Sequence, residues 1–357
     1  MSEEAIVQFR SDGIGLTPLA YGRLIAEIAE TRGIAPDAYA RDGVVAELEA
    51  RMAALLGKET AVFLPTGTLA NHLAVRRLAR RGRRVLVQAE SHLYNDEGDC
   101  AQQLSGLNLV PLAPGRATVT LGEIERAVAG APEMRVAAPV GAISLETPVR
   151  RCNGAAFDPA ELRAVCGFAR TRGIGLHLDG ARLLIEAAYS GIAPAETAAL
   201  FDTVYVSLWK YLNAASGAIL AGPRGLLDGL YHERRMFGGS LPHAWPDAAV
   251  ALHHLDGFAE RFAAAARAGE ELFAALRRCP GVTLERPSPA TNVAVLRVAG
   301  DAAATLPQRL AAHRIGIRPP REVWPGGAEY TLHVNETVLG RPLETIAAGF
   351  AAALGAG

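Results

Sequence analysis

Only two of the 36 basic residues are lysines, Lys58 and Lys210; the other 34 are arginines. Arginine stays protonated in proteins, whereas a lysine amine desolvated among apolar neighbours can lose its proton and act as a nucleophile. Side-chain amine chemistry therefore has two candidates. Lys210 closes the apolar run Val204-Tyr-Val-Ser-Leu-Trp-Lys210 and precedes the small residues Ala214, Ala215, Ser216 and Gly217. Lys58, between Gly57 and Glu59, reads as a solvated surface amine. The arginine bias itself reflects an Ala- and Arg-rich composition and carries no function.

Three more polar groups stand where apolar runs end. Thr66-Gly67-Thr68 lies between an apolar run and a helical pattern. Small residues there let an anion approach free N–H groups and the positive end of a helix, although an ordinary capped turn has the same look. Asp179 ends Gly175-Leu-His-Leu-Asp179 and needs a partner or solvent, or serves as a helix N-cap. His92 follows the run ending at Gln88, and its ring can stack on a flat cofactor or be structural. Together, an anion-binding turn, an aromatic stacker, a carboxylate for a heteroaromatic nitrogen and a desolvated lysine are what pyridoxal 5'-phosphate requires.

The elements that must hold these groups alternate along the chain. Apolar runs at 61–64, 84–88, 107–112, 134–145, 175–179 and 203–208 read as strands, with helical periodicity at 41–56, 69–81, 121–130, 158–172 and 181–190 between them. Repeated βα alternation predicts an α/β fold with a mostly parallel central sheet flanked by helices, and polar residues at strand ends then face a common ligand site. Beyond residue 240 the texture changes. A long Ala-rich helical region covers 247–278, broken near Gly257 or Gly269, and short strands at 292–298 and 330–334 alternate with helices at 302–313 and 342–354. The expected organisation is an N-terminal segment (1–30), a large domain (31–240) and a smaller C-terminal α+β domain (241–357).

Other classes are excluded or unsupported. A length of 357 residues and a half-hydrophobic composition suit an extensive core, and a net charge of −1 offers nothing to nucleic acid. Cys100, Cys152, Cys166 and Cys279 are scattered without metal-ligand spacing and read as reduced thiols, so no metal is expected. The acidic start Met1-Ser-Glu-Glu leads into no apolar segment, so a cytoplasmic protein with no membrane contact is expected. No GxGxxG, Walker-type or GxSxG motif is present.

The chain resembles the threonine aldolase and aromatic amino acid β-eliminating lyase family of fold-type-I pyridoxal-phosphate enzymes. The resemblance is carried by Phe9-Arg-Ser-Asp12, Phe63-Leu-Pro-Thr-Gly-Thr-Leu-Ala-Asn71, the segment 90–98, Ser144-Leu-Glu146, Leu176-His-Leu-Asp-Gly-Ala-Arg182, Ser207-Leu-Trp-Lys210 and Gly217-Ala-Ile-Leu-Ala-Gly222. It implies that Lys210 bonds to the cofactor aldehyde, that Asp179 pairs with the ring nitrogen, that Thr66, Gly67, Thr68 and Ser207 hold the phosphate, that His92 stacks on the ring and that Glu97 and Arg182 lie against it. Ser11, Arg318 and Arg321 become candidates for the substrate, with Tyr39 reaching a neighbouring subunit's site in a homodimer or homotetramer.

The implied reaction is aldol cleavage of a β-hydroxy-α-amino acid to glycine and an aldehyde. The alternatives are β-elimination, racemisation or transamination, or a non-catalytic binding protein that kept the fold. Three places depart from the family pattern, the first being Trp209 and Tyr211 where small or glycine neighbours of the lysine are usual. After Glu146 the chain reads Thr147-Pro-Val-Arg-Arg-Cys-Asn153-Gly154, without the usual histidine, and Glu329 stands where a carboxylate-binding arginine is usual. Arg150, Arg151 and His243 are then candidates for new substrate contacts.

Overall fold

The computed structural model describes residues 6–79, 82–130, 135–300 and 303–355. Met1-Ser-Glu-Glu, Arg81, Met134 and Ala302, each part of an expectation above, lie outside them. In chain order the strands are β1 (Val7–Gln8), β2 (Thr60–Leu64), β3 (Arg84–Gln88), β4 (Asn108–Leu112), β5 (Val140–Glu146), β6 (Gly175–Asp179), β7 (Thr203–Ser207), β8 (Ala218–Gly222), β9 (Val282–Glu285), β10 (Val293–Ala299), β11 (Ile315–Gly316), β12 (Glu322–Trp324) and β13 (Gly327–His333). Seven of them form a central sheet in the order β2-β8-β7-β6-β5-β3-β4. The strands from β7 to β4 in that order are parallel, and β8 runs antiparallel to both β7 and β2.

Strand periodicity explains how one sheet carries both a core and a site, because alternate side chains point to opposite faces. Leu176, Leu178, Val204 and Val206 point into the larger core, beside Val45, Leu48, Val165 and Leu184 of the covering helices. On the other face Tyr205 packs with Ala70, Leu73 and Ala74 of the helix Gly67–Leu78, and the polar ends of β5, β6 and β7 lie under that helix. β8, not expected as a strand, has the all-buried composition AILAG with no alternation to mark it.

A second, antiparallel sheet has the order β12-β13-β10-β9. Its core draws on the helices Phe258–Leu276, Leu306–Ala311 and Leu343–Leu354. β1 pairs in parallel with β11, which buries Val7 and Phe9 in this second core, Phe9 with its ring centroid 5.7 Å from that of Phe350. The larger core extends from Ile28 to Phe262 and includes Ala248 and Leu252 of the helix Trp245–Leu255. The division by cores thus differs from one at residues 240 and 241, since an Ala-rich helix does not announce which sheet it covers. Residues 1–30 also divide: Val7 and Phe9 join the small core, Ile28 the large one. No described helix is long and apolar enough to cross a membrane.

The break expected near Gly257 or Gly269 occurs at Gly257, whose φ of 65° places it in the left-handed region ahead of the helix Phe258–Leu276. Gly269 lies inside that helix because a Cβ there would come within 2.7 Å of Val334. Glycine inside a helix ordinarily costs about 1 kcal/mol relative to alanine. At Gly269 the sign reverses: Gly269→Ala is expected to lower stability by about 1–3 kcal/mol through overpacking. Gly167, in the helix Pro159–Thr171, is the control, since a Cβ added there would meet nothing within 4 Å. Gly167→Ala should raise stability by about 0.5–1 kcal/mol in the same denaturant titration.

Candidate active site

The site begins with three parallel strands in register. Glu146 of β5 pairs with Asp179 of β6, and Asp179 with Tyr205 of β7. These side chains share one face, as do His177 two residues before Asp179, and Thr203 and Ser207 flanking Tyr205. Glu146, His177, Asp179, Tyr205 and Ser207 are all buried, as is Glu97 from the segment after β3. Several like charges out of water demand donors, and Asn71 on the helix Gly67–Leu78 supplies them.

Asn71 Nδ2 donates to Glu97 Oε1 at 2.7 Å and to Asp179 Oδ2 at 2.8 Å. That leaves Asn71 Oδ1 as acceptor for His177 Nε2 at 2.9 Å. His177 therefore carries its proton on Nε2, and Nδ1 accepts from the Thr203 hydroxyl at 2.9 Å. Burial pushes the His177 pKa down to about 4, so the ring is neutral at physiological pH. Asp179 Oδ1 accepts from the Ala181 N–H at 3.2 Å. At the far end of the chain of bonds, His92 Nδ1 donates to Glu97 Oε1 at 2.9 Å, and this bond raises the His92 pKa. Burial raises that of Glu97 despite the bonds from His92 and Asn71.

Glu146 has no side-chain donor among the described residues. Its carboxylate accepts the N–H of His92 at 2.6 Å and of Arg150 at 2.9 Å, while burial and then Asp179 push its pKa up to about 7. Lys210, three residues beyond β7, moves the other way: burial first and the Arg182 charge second bring its pKa down to about 8. Its Nζ lies 5.9 Å from the ring centroids of Tyr205 and Trp209. Lys58 is not the solvated amine expected. It is half-buried, donates to the Phe201 carbonyl at 2.6 Å and has its pKa lowered by burial, because the turn after the helix Gly43–Leu55 packs against the end of another loop.

Arg182 and Asp12 close the site from the side of the smaller core. Arg182 Nε donates to Asp12 Oδ2 at 2.7 Å, and Asp12 Oδ1 accepts from Asn292 and His333 at 3.0 Å each. Against its burial, the Arg182 charge and these bonds hold Asp12 well below the usual carboxylate range. A cleft of about 670 Å³ opens here, lined among others by Ser11, His92, Arg182, Lys210, Arg318 and Arg321. Tyr39 does not line it; the side chain is exposed beside Arg235. His243 is also elsewhere, with Nδ1 on the Asp37 carbonyl at 2.8 Å. Arg150 and Arg151 do line it.

Asn71, Glu146, His177 and Asp12 belong to the site, although the sequence marks only the motifs containing them and not the residues themselves, and His333 joins them from a stretch read only as a short strand. The available signal was spacing: Asn71 lies one helical turn beyond Gly67, and His177 lies two residues before Asp179 on the same strand face.

The donor set fits pyridoxal phosphate. Ser207 Oγ is buried without a partner at normal hydrogen-bond geometry. A Cβ on Gly67 would lie 2.1 Å from the Tyr205 hydroxyl, so the first helical turn has no room for a side chain. Thr66 caps that helix by accepting from Leu69 N at 3.2 Å, so the capped-turn reading also holds, while the first-turn N–H groups lack intrahelical acceptors. His92, Glu97 and Asp179 each have a ligating atom within 4.8 Å of the others, but bonds from Asn71 join the two carboxylates and His92 is bonded to Glu97.

Comparison with known proteins agrees with this geometry. The family profile described as beta-eliminating lyase matches residues 26–299. The chain belongs to the beta-eliminating lyase family. It is 28% identical over 317 residues to the low specificity L-threonine aldolase of Escherichia coli K12, covering 87% of this chain and 90% of that one. It is 29% identical over 235 residues to an alanine racemase of Cochliobolus carbonum, covering 65% and 58%. A crystal structure from Exiguobacterium sp., described as a putative aromatic amino acid beta-eliminating lyase/threonine aldolase, superposes with a TM-score of 0.84 at 27% identity over 99% of this chain and 98% of that one. The chain spans 58% to 64% of the length of several curated relatives it matches. The fold is that of fold-type-I pyridoxal-phosphate enzymes.

Two measurements probe this family site. Asn71→Asp replaces the shared donor with a third carboxylate, so it should unfold at a lower temperature than Asn71→Ala at pH 8, and the gap should narrow toward pH 5 as carboxylates protonate. Behind the site, the buried Glu186 has only the Thr147 hydroxyl, at 2.8 Å, as a donor among the described residues, and burial raises its pKa to about 7. Its protonated form favours the fold, so that stability is full below about pH 4.5 and is lost as pH rises through about 7, by about 3 kcal/mol in all. The melting temperature of Glu186→Gln relative to the parent should therefore rise between pH 5 and pH 8.

Proposed function

We propose that the chain is a pyridoxal-phosphate-dependent lyase that cleaves a β-hydroxy-α-amino acid to glycine and an aldehyde. The observation that carries this reading is the placement of a half-buried lysine of lowered pKa beside the end of the strand whose carboxylate, Asp179, accepts from Asn71 and the Ala181 N–H, with Asn71 in turn fixed by His177. Thr66, Gly67, Thr68 and Ser207 would hold the phosphate, Asp179 would keep the ring nitrogen protonated, and Lys210 would bond to the aldehyde. Bound there, pyridoxal phosphate supplies an electron sink for the pair released when a bond at the substrate α-carbon breaks.

The chain's own groups would do the rest. His92 would cover the ring, with Glu97 fixing Nδ1–H; Nε2, which makes no hydrogen bond to described residues, would take the β-hydroxyl proton. Arg318, whose Nε donates to the Arg10 carbonyl, and Ser11 would take the substrate carboxylate together with Arg321. Arg182 would lie against the cofactor, positioned by Asp12. A homodimer or homotetramer, with Tyr39 serving a neighbouring site, belongs to the same proposal. β-Elimination or racemisation is the second reading, favoured by the absence of the usual histidine after Glu146 and by the alanine racemase among the relatives.

Incubation with a panel of β-hydroxy amino acids should release glycine and aldehyde. Ammonia with a keto acid, or loss of optical rotation without cleavage, would instead select the second reading. Borohydride should fix the cofactor onto Lys210. Lys210→Arg should lose that adduct and at least 1,000-fold in kcat, roughly 4 kcal/mol of barrier, while Lys58→Arg should keep both.

A further inference from the structure

The charge of the cleft bears on the substrate's side chain. Five arginines line it, Arg150, Arg151, Arg182, Arg318 and Arg321, together with Lys210, against the carboxylates of Asp12 and Glu90. Asp12 is committed to Arg182 and His333. Glu90 Oε1 accepts from the Gly115 N–H at 3.0 Å. Arg321 Nη1 donates to Asn153 Oδ1 at 2.8 Å and lies 3.8 Å from Glu329, which also binds Arg297 at 3.0 Å. Arg318 has no carboxylate partner among the described residues.

Arg150 and Arg151 form a distinct pole. They share one carboxylate: Asp96 Oδ2 accepts from Arg150 Nη2 at 2.5 Å, and Asp96 takes Arg151 through Nη2 at 2.8 Å and Nε at 3.2 Å. Two guanidiniums on one carboxylate leave an excess positive charge and unbonded N–H groups. The pair is positioned at the chemistry, because the same Glu146 carboxylate holds the backbone N–H groups of both Arg150 and His92. One amino-acid carboxylate satisfies the Arg318 side of the cleft and leaves this pole unmatched.

Resting on the lyase reading above, we propose that the substrate's β-substituent ends in an anion, a carboxylate or a phosphate ester, which Arg150 and Arg151 bind. Guanidinium forks suit both groups. With 3-hydroxyaspartate, the Cα–Cβ bond breaks, the hydroxyl proton passes to a base, Cα gains a proton, and the products are glycine and glyoxylate. With a 3-hydroxy-4-phosphooxy amino acid, the same bond change gives glycine and glycolaldehyde phosphate.

The test uses the holoenzyme with four substrates: 3-hydroxyaspartate, the 4-phosphooxy compound, threonine and phenylserine. One of the two acidic substrates should exceed threonine and phenylserine in kcat/KM at least tenfold, and which one does so identifies the anion. In Arg150→Gln/Arg151→Gln the loss on the preferred acidic substrate should exceed the loss on threonine at least tenfold. Calorimetric binding of succinate and of inorganic phosphate supplies a readout without turnover, and the double variant should bind the anion of the preferred class at least tenfold more weakly. Equal losses on acidic and neutral substrates, a preference for phenylserine or unchanged anion binding would overturn the proposal. If no β-hydroxy amino acid is cleaved, the lyase reading fails separately, and anion binding still decides the role of the arginine pair.

Discussion

Asn71 is the interaction on which the site depends. Three carboxylates, Glu97, Asp179 and Glu146, lie buried near one another on strand ends and the segment after β3, where their mutual repulsion and desolvation oppose folding. One primary amide offers two N–H donors and one acceptor, which is the combination needed to join two carboxylates to a neutral imidazole. The resulting row, from the Thr203 hydroxyl to the His92 ring, fixes side-chain orientation by hydrogen bonds alone. Buried polar rows of this kind specify one arrangement because each unsatisfied member is costly.

Glu146 and Lys210 show the complementary effect. Burial favours the neutral form of each, although one begins as an acid and the other as a base. The pKa of Glu146 rises to about 7 and that of Lys210 falls to about 8, so both approach neutrality. A lysine that ionises in this range serves as a nucleophile in a way that arginine at the same position does not.

Much of this arrangement was legible because parallel strands bring their carboxyl ends to one edge. β3 and β6 have the bounds read from their apolar runs, and Asp179, His92, Lys210 and the turn at Gly67 follow from those ends. What stayed hidden depends on neighbours across the fold. Asn71 reads as one polar residue inside an amphipathic helix until β6 is known to lie beneath it, and His177 reads as part of a strand core. The partner of Arg182 comes from residue 12, brought by a pairing of β1 with β11 that spans the length of the chain and leaves only a two-residue pattern in each strand. β8 carries no alternation to mark it, because all five of its residues are buried.

The Asp12–Arg182 ion pair joins two different cores. Asp12 is held by Asn292 and His333 beside the smaller sheet, and Arg182 follows β6 of the larger one. The width of the cleft is thus set by a clasp whose halves belong to separately packed bodies. Heat or a distant cavity that loosens the smaller body first would shift one wall of the pocket before the central sheet unravels. Loss of the cleft would then precede loss of compactness, because the clasp depends on the packing of both bodies and the central sheet on only one.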